Sequence, residues 1–319
     1  MTIALQSGYR LLLSVAEHYL RPKRIKMKIF IVGSTGMLGS ECKKVLARDH
    51  EVICPGKKEV NIVSWDVVIE SLTKVSPDVI LNCVGFTDIE ACEKEEFDAR
   101  KINVEGPRNL AQASARFGCK MVHISCGHIF DGHKPIPQPY FEDDPPNPVS
   151  TYGKSKLESE TAVRGNSPNY IIVRSMCLYG LSGKNPIKSI LAQALRKRSK
   201  VLRVPEDQYG GPTWSYRLAL QIKELVENNG RGTYHATAAG CCSRFEFVKY
   251  VLNRLEIKTP VEPCRLKDLE QTVDWPVNCL LDNRLSKKQG IDVMVGWKED
   301  LDRFLEESGD ELIKEARKR

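Results

Sequence analysis

The chain has 319 residues, 41% hydrophobic and 28% charged, which is ample for a full core and longer than the commonest single domain. Its formal net charge is +7, but the basic runs at 21–28, 196–200 and 316–319 lack interleaved aromatics, so they argue against a nucleic-acid partner and for a solvated or anion-facing rim. The 11 cysteines include no C-x-x-C pair, which excludes a sequence-encoded zinc knuckle or dithiol motif and reads as free thiols in a reducing cytosol.

Residues 1–26 open with "IALQSGYRLLLSVAEHYL", an apolar stretch interrupted by Arg10, Glu17 and His18 and followed by no small-residue cleavage site. It is too short and too charged to span a bilayer, so the expectation is an N-terminal extension on a cytoplasmic protein with no membrane partner. From Met27 the chain alternates apolar runs with amphipathic segments. The pattern predicts strands at 28–33, 51–54, 78–85 and 120–126 and helices at 37–48, 64–75 and 99–117. A proline-rich loop at 134–150 precedes a helix beginning near Thr151. This β-then-α order predicts an α/β fold with a Rossmann-type doubly wound parallel sheet over 27–180. After residue 180 the alternation weakens, which predicts a smaller C-terminal substrate-binding lobe over 181–319, with segments such as 232–237 returning to the sheet.

Gly33, Gly36 and Gly39 in "GSTGMLG" lie between the first strand and the first helix. Glycines there permit a tight turn and close backbone approach to a pyrophosphate, while the helix N-terminus supplies N–H donors. Past the second strand no acid stands where a ribose 2′-OH would be bound. Lys57 and Lys58 lie nearby instead and could pair with a 2′-phosphate, which favours NADPH; as two solvated loop lysines they would leave NADH open. Tyr152 and Lys156 in "YGKSK" sit four apart on one helical face. An ammonium beside the tyrosine, helped by the nicotinamide cation, is expected to stabilise its phenolate and bring its pKa toward the working range.

"DQYGGPT" (207–213), supported in order by "PDVILNCVGFTDIEACE" (77–93), "INVEGPRNLA" (102–111), "FDG" (130–132), "YGKSKLESE" (152–160) and "LLDNRLSKKQGI" (280–291), carries a resemblance. The chain resembles the extended short-chain dehydrogenase/reductases and, within them, the dTDP-4-dehydrorhamnose reductase family, from about Lys28 to about Phe304. The resemblance implies an NAD(P)H-dependent reductase of a nucleotide-activated 4-keto-deoxysugar. It implies that Gly33, Thr35, Gly36, Met37, Leu38 and Gly39 wrap a pyrophosphate and that Asn61 and Ile62 lie beside the adenine. Cys83, Val84, Gly85 and Thr87 would line the rest of the cofactor, with Asn103, Ser125, Tyr152, Lys156 and Lys57 completing that site. Tyr152 would be the proton donor and Lys156 its partner. Cys177, Gln208, Gly211 and Thr213 would border the sugar nucleotide. No metal site is implied by spacing, and pairing into a homodimer is one assembly the family adopts.

The chain departs from that family at "SCGHIF" (125–130), where Ser-Thr-Asp-Tyr-Val-Phe is usual. Cys126 replaces the threonine hydroxyl that shares the substrate oxygen with the tyrosine, and Gly127 replaces the aspartate. A thiol is the weaker donor, and loss of one such donor costs about 10²–10³ in rate. Three substitutes for the lost hydroxyl stand open: Ser125, His128, or the thiol of Cys126 itself as the third catalytic group. Cys177 replaces a tryptophan that packs on the sugar, and Trp275 replaces the arginine of a late motif. These changes leave an alternative, a non-catalytic NADP-binding regulatory subunit, the role that the β subunit of methionine adenosyltransferase plays in this family.

Overall fold

The computed structural model describes residues 25–196, 201–270 and 272–318. The extension expected at 1–26 therefore lies outside the described residues up to position 24, as do 197–200 and 319 of the basic runs.

Six strands form the main sheet: β1 (Lys28–Val32), β2 (Glu51–Ile53), β3 (Val79–Asn82), β4 (Lys120–Cys126), β5 (Tyr170–Ser175) and β6 (Gly232–His235). Their order across the sheet is β6-β5-β4-β3-β1-β2, and every neighbouring pair is parallel. Both faces are covered, which is why these strands read as continuous apolar runs. The helices framing the sheet are α1 (Met37–Leu46), α2 (Trp65–Val75), α3 (Gly106–Phe117) and α4 (Thr151–Asn166). Ile29, Ile31, Val79, Leu81, Val122, Ile171 and Val173 pack on α1 and on the later helix formed by Ser215–Glu227. Phe30, Val32, Ile80, Met121 and Ile172 turn the other way, toward α2, α3 and α4. The alternation follows from the two-residue period of a strand.

The first helix begins against Gly36, the third carries Pro107 in its first turn and stops at Gly118 in the left-handed region, and α4 starts at Ser150, whose Oγ accepts the Gly153 amide at 3.1 Å. The helix expected as one piece at 99–117 is broken. Glu96–Arg100 is α-helical, Lys101–Glu105 widens into a π turn, and α3 follows. The widened turn seats Asn103, which the linear pattern could not show.

A second core gathers Tyr179, Trp214, Phe247, Trp297 and Phe304 between α5 (Pro186–Ala194), α7 (Arg244–Arg254) and α8 (Trp297–Arg317). The helix α6 (Ser215–Glu227) belongs to the sheet's core, although it follows the first elements of the second. Short strands at Tyr209–Gly210, Cys242–Ser243 and Asn278–Cys279 brace this half.

Candidate active site

The sheet order reverses between β1 and β3, and the loops leaving these strands meet there, as ligand crevices of open α/β sheets require. Gly33 has φ +80, and a Cβ on it would stand 2.9 Å from the Cys83 carbonyl carbon. A Cβ on Gly39 would lie 2.1 Å from the Gly33 carbonyl oxygen. Only glycine lets the loop, α1 and the end of β3 close this tightly. No side chain caps α1 and no acid stands in its first turn. Its leading amides therefore face the crevice as anion donors, and the cradle fits a pyrophosphate.

The residues expected around that anion divide by what they can offer. Thr35, Gly85 and Thr87 are exposed, whereas Leu38 and Ile62 send their side chains into the core and leave only backbone for a ligand. Ile62 packs under Gly106, where a Cβ would meet it at 2.5 Å. Met37 packs beside Gly180, and Cys83 lies against the buried Cys42. Val84 half-packs into the core below the crevice, its amide bonded to Asn82 Oδ1 at 3.0 Å. Lys57 and Lys58 are exposed on a turn that the Glu59 carboxylate closes at the Gly56 amide. Asn61 accepts the Val63 amide at 3.2 Å.

Tyr152 and Lys156 are both buried on α4, at 7% and 5% exposure. The Lys156 Nζ donates to the Ile124 carbonyl at 2.7 Å. Asn103 positions this helix: its Oδ1 accepts the Phe86 amide at 2.8 Å, and its Nδ2 donates to the Phe86 carbonyl and to Ser155 Oγ, both at 3.0 Å. Ser155 Oγ in turn donates to the Tyr152 carbonyl at 2.8 Å. Burial raises the Tyr152 phenol well above its usual value, and the neighbouring Cys126 and Cys92 add to that; the depression expected of it rests on the Lys156 ammonium together with a nicotinamide cation. Burial likewise lowers the Lys156 ammonium, against the pull of Cys126 and Glu160.

Cys126 is the group beside the tyrosine. Burial raises its thiol, against the Lys156 charge and the neighbouring His128 amide and Tyr152. Ser125 Oγ is buried without a hydrogen-bond partner. His128 is 8% exposed and meets Tyr152 edge-on, with ring centroids 5.6 Å apart; Trp275 meets His128 edge-on from another side at 5.7 Å.

His128 and Trp275 line a cavity of about 940 Å³ beyond the ends of β4 and β5. Cys177, Gln208 and Gly210 line it, together with Arg196, Arg203 and Arg244. Cys177 is exposed in the left-handed region at φ 50, and its sulfur occupies the space a Cβ on Gly210 would need, 2.8 Å away. Gln208 Nε2 donates to the Pro276 carbonyl at 3.3 Å. Gly211 and Thr213 stand behind the lining: Thr213 Oγ1 donates to the Gly211 carbonyl and accepts the Ala238 amide, which fixes the turn. Among the described residues no cluster of three or more His, Cys, Asp or Glu side chains could hold a metal, and no helix is long and apolar enough to cross a membrane.

Sequence reasoning missed the buried polar chain beneath the site. Asn82 Nδ2 contacts His123 Nδ1 at 3.2 Å, His123 Nε2 contacts Ser159 Oγ at 2.9 Å, and Ser159 Oγ donates to the Lys156 carbonyl at 2.6 Å. It also missed the bidentate Glu160–Arg174 pair, with both bonds at 2.8 Å. The available signal was a polar residue inside each largely apolar strand: Asn82 in β3, His123 in β4 and Arg174 in β5.

A glycine cradle at the switch point of a six-stranded parallel sheet defines a Rossmann-type α/β fold. The comparisons place the chain more closely. The family described as RmlD substrate binding domain matches residues 27–309, and the chain belongs to it. The spore coat polysaccharide biosynthesis protein SpsK of Bacillus subtilis is 33% identical over 281 residues, 88% of this chain and 97% of that protein. A dTDP-4-dehydrorhamnose reductase of Aggregatibacter actinomycetemcomitans is 32% identical, covering 78% of this chain and 86% of the relative. Among solved structures, a dTDP-4-dehydrorhamnose reductase of Bacillus anthracis in complex with NADP superposes with a TM-score of 0.84 at 31% identity, covering 89% of this chain and all of that one. The Clostridium acetobutylicum enzyme of the same name gives 0.84 at 34% identity, with 88% and 99% covered.

Proposed function

We propose that this protein is an NADPH-dependent oxidoreductase that reduces the keto group of a dTDP-4-keto-deoxysugar. One observation carries the reading: Tyr152, buried on α4, meets the ring of His128, which lines a cavity with three arginines in its wall. The amides at the start of α1 would hold the pyrophosphate, and Lys57 and Lys58 would meet a 2′-phosphate. When bound, the reduced nicotinamide supplies a hydride for the carbonyl carbon. Arg196, Arg203 and Arg244 suit the diphosphate of a sugar nucleotide, since guanidinium groups pair phosphate oxygens bidentately.

Tyr152 gives its phenolic proton to the carbonyl oxygen. The phenol must be protonated when reduction begins, which a tyrosine is at neutral pH. Lys156, one helical turn away, is placed to stabilise the phenolate left behind. Burial of both groups excludes water from the transfer. The experiment is NADPH oxidation on an enzymatically generated dTDP-4-keto-6-deoxysugar, beside Tyr152→Phe. Turnover that falls at least a hundredfold in the variant, with NADPH affinity retained, supports the reading. Tight NADPH binding without turnover in the unaltered protein favours the non-catalytic subunit, for which Cys126 in the hydroxyl's place is the motivating observation.

A further inference from the structure

We infer that His128 is a further catalytic residue, donating a hydrogen bond from Nε2–H to the keto oxygen beside Tyr152 and so filling the role of the hydroxyl missing at position 126. The inference rests on the reductase reading.

The turn carrying His128 is pressed onto the start of α4. A Cβ on Gly153, the residue after Tyr152, would lie 2.2 Å from the His128 carbonyl oxygen, so glycine is required for the two segments to meet. Gly127 is in closer than ordinary contact too, though less severely, since a Cβ there would stand 3.3 Å from Met176 Sδ. With Tyr152 edge-on to one side and Trp275 to another, the imidazole is held in one orientation at the cavity wall.

Its two nitrogens differ. Nδ1 is shut away from water and has no hydrogen-bond partner. A buried N–H without an acceptor is rarer and more costly than an unfilled acceptor, which assigns the proton to Nε2. No partner within the described residues takes the Nε2–H, so it is free for a ligand in the cavity that His128 lines. Ser125 Oγ is shut away from water without a partner, and Cys126 is buried at 7% exposure. Of the three groups near the tyrosine, only the imidazole lines the cavity. Burial lowers its pKa to about 4, so at neutral pH it is a neutral donor and does not compete with Tyr152 as the acid.

The experiment is a double-mutant cycle on NADPH-dependent turnover, with His128→Phe, Cys126→Thr and the pair. His128→Phe keeps a ring in the same space and removes the donor. The expected loss in kcat is about 10²–10³, with NADPH affinity and melting temperature retained. In the Cys126→Thr background the same change should cost less than tenfold, because a hydroxyl now reaches the keto oxygen. His128→Gln, which restores an N–H, should recover part of the rate. Equal losses in the two backgrounds, or a loss below threefold in the first, would overturn the role. Absence of turnover in the unaltered protein would reject the reductase reading itself, and with it this assignment.

Discussion

Replacing Gly39 by alanine adds one methyl group at the tightest point of the dinucleotide crevice. The new Cβ would lie 2.1 Å from the Gly33 carbonyl oxygen, 2.8 Å from its carbon and 2.9 Å from the Ser34 Cα. All three are backbone atoms, so no rotamer change relieves them. Ordinary contact of roughly 3.3 Å demands a shift of about 1 Å between α1 and its preceding loop. Overpacking of this kind costs typically about 1–3 kcal/mol of stability. The greater effect falls on binding, since charge-assisted bonds from the α1 amides to a pyrophosphate are worth about 1.5–3 kcal/mol each. Loss of two such bonds weakens NADPH by about 10²–10⁴-fold. Fluorescence titration with NADPH measures this, with Gly165→Ala as control, because a Cβ at Gly165 meets nothing within 4 Å. A Gly39→Ala protein that binds NADPH within threefold of the unaltered one would refute the cradle.

Two further outcomes follow from charge. Lys57→Ala and Lys58→Ala should each weaken NADPH about tenfold and leave NADH unchanged; equal weakening of both cofactors would remove the 2′-phosphate assignment. Arg174→Met should cost about 3 kcal/mol near pH 7, the lower end for a broken buried pair, because Arg164 still reaches the same Glu160 oxygen. Burial pushes the Glu160 carboxyl up, but the Arg174 bonds and charge outweigh it and hold it below its usual value. The intact pair therefore adds stability above the unfolded pKa of about 4.3 that is lost as pH falls. Without Arg174 burial dominates and the folded pKa rises, so the variant loses stability as pH increases. Urea unfolding should show the gap shrinking from pH 7 toward pH 4, and a gap independent of pH would contradict the assignment.

The sheet was legible because its strands are buried on both faces and bounded by turn residues, and Lys120–Cys126 and the start of α4 at Thr151 fall where the pattern puts them. The places of Gly33, Tyr152 and Lys156 in the fold were legible because each lies close to an element boundary. Asn103 could be named, but the π turn that aims it could not, since a single widened turn leaves the apolar period nearly intact. The burial of Tyr152 was not legible, because a helical spacing of four shows proximity along one face and says nothing of depth; burial raises its phenol and the Lys156 ammonium is bonded to the Ile124 carbonyl. His128 and Trp275 meet from segments 147 positions apart, so their contact exists only in the fold.

The most direct measurement is the fate of the hydride. Incubation with NADPH deuterated on the transferred face and a dTDP-4-keto-6-deoxysugar, followed by mass and NMR analysis, should give a hydroxy-sugar carrying one deuterium at C4, with Tyr152→Phe giving little. Recovery of the keto sugar unlabelled, from a protein saturated with NADPH, would contradict the account and leave a dinucleotide-binding protein without hydride transfer.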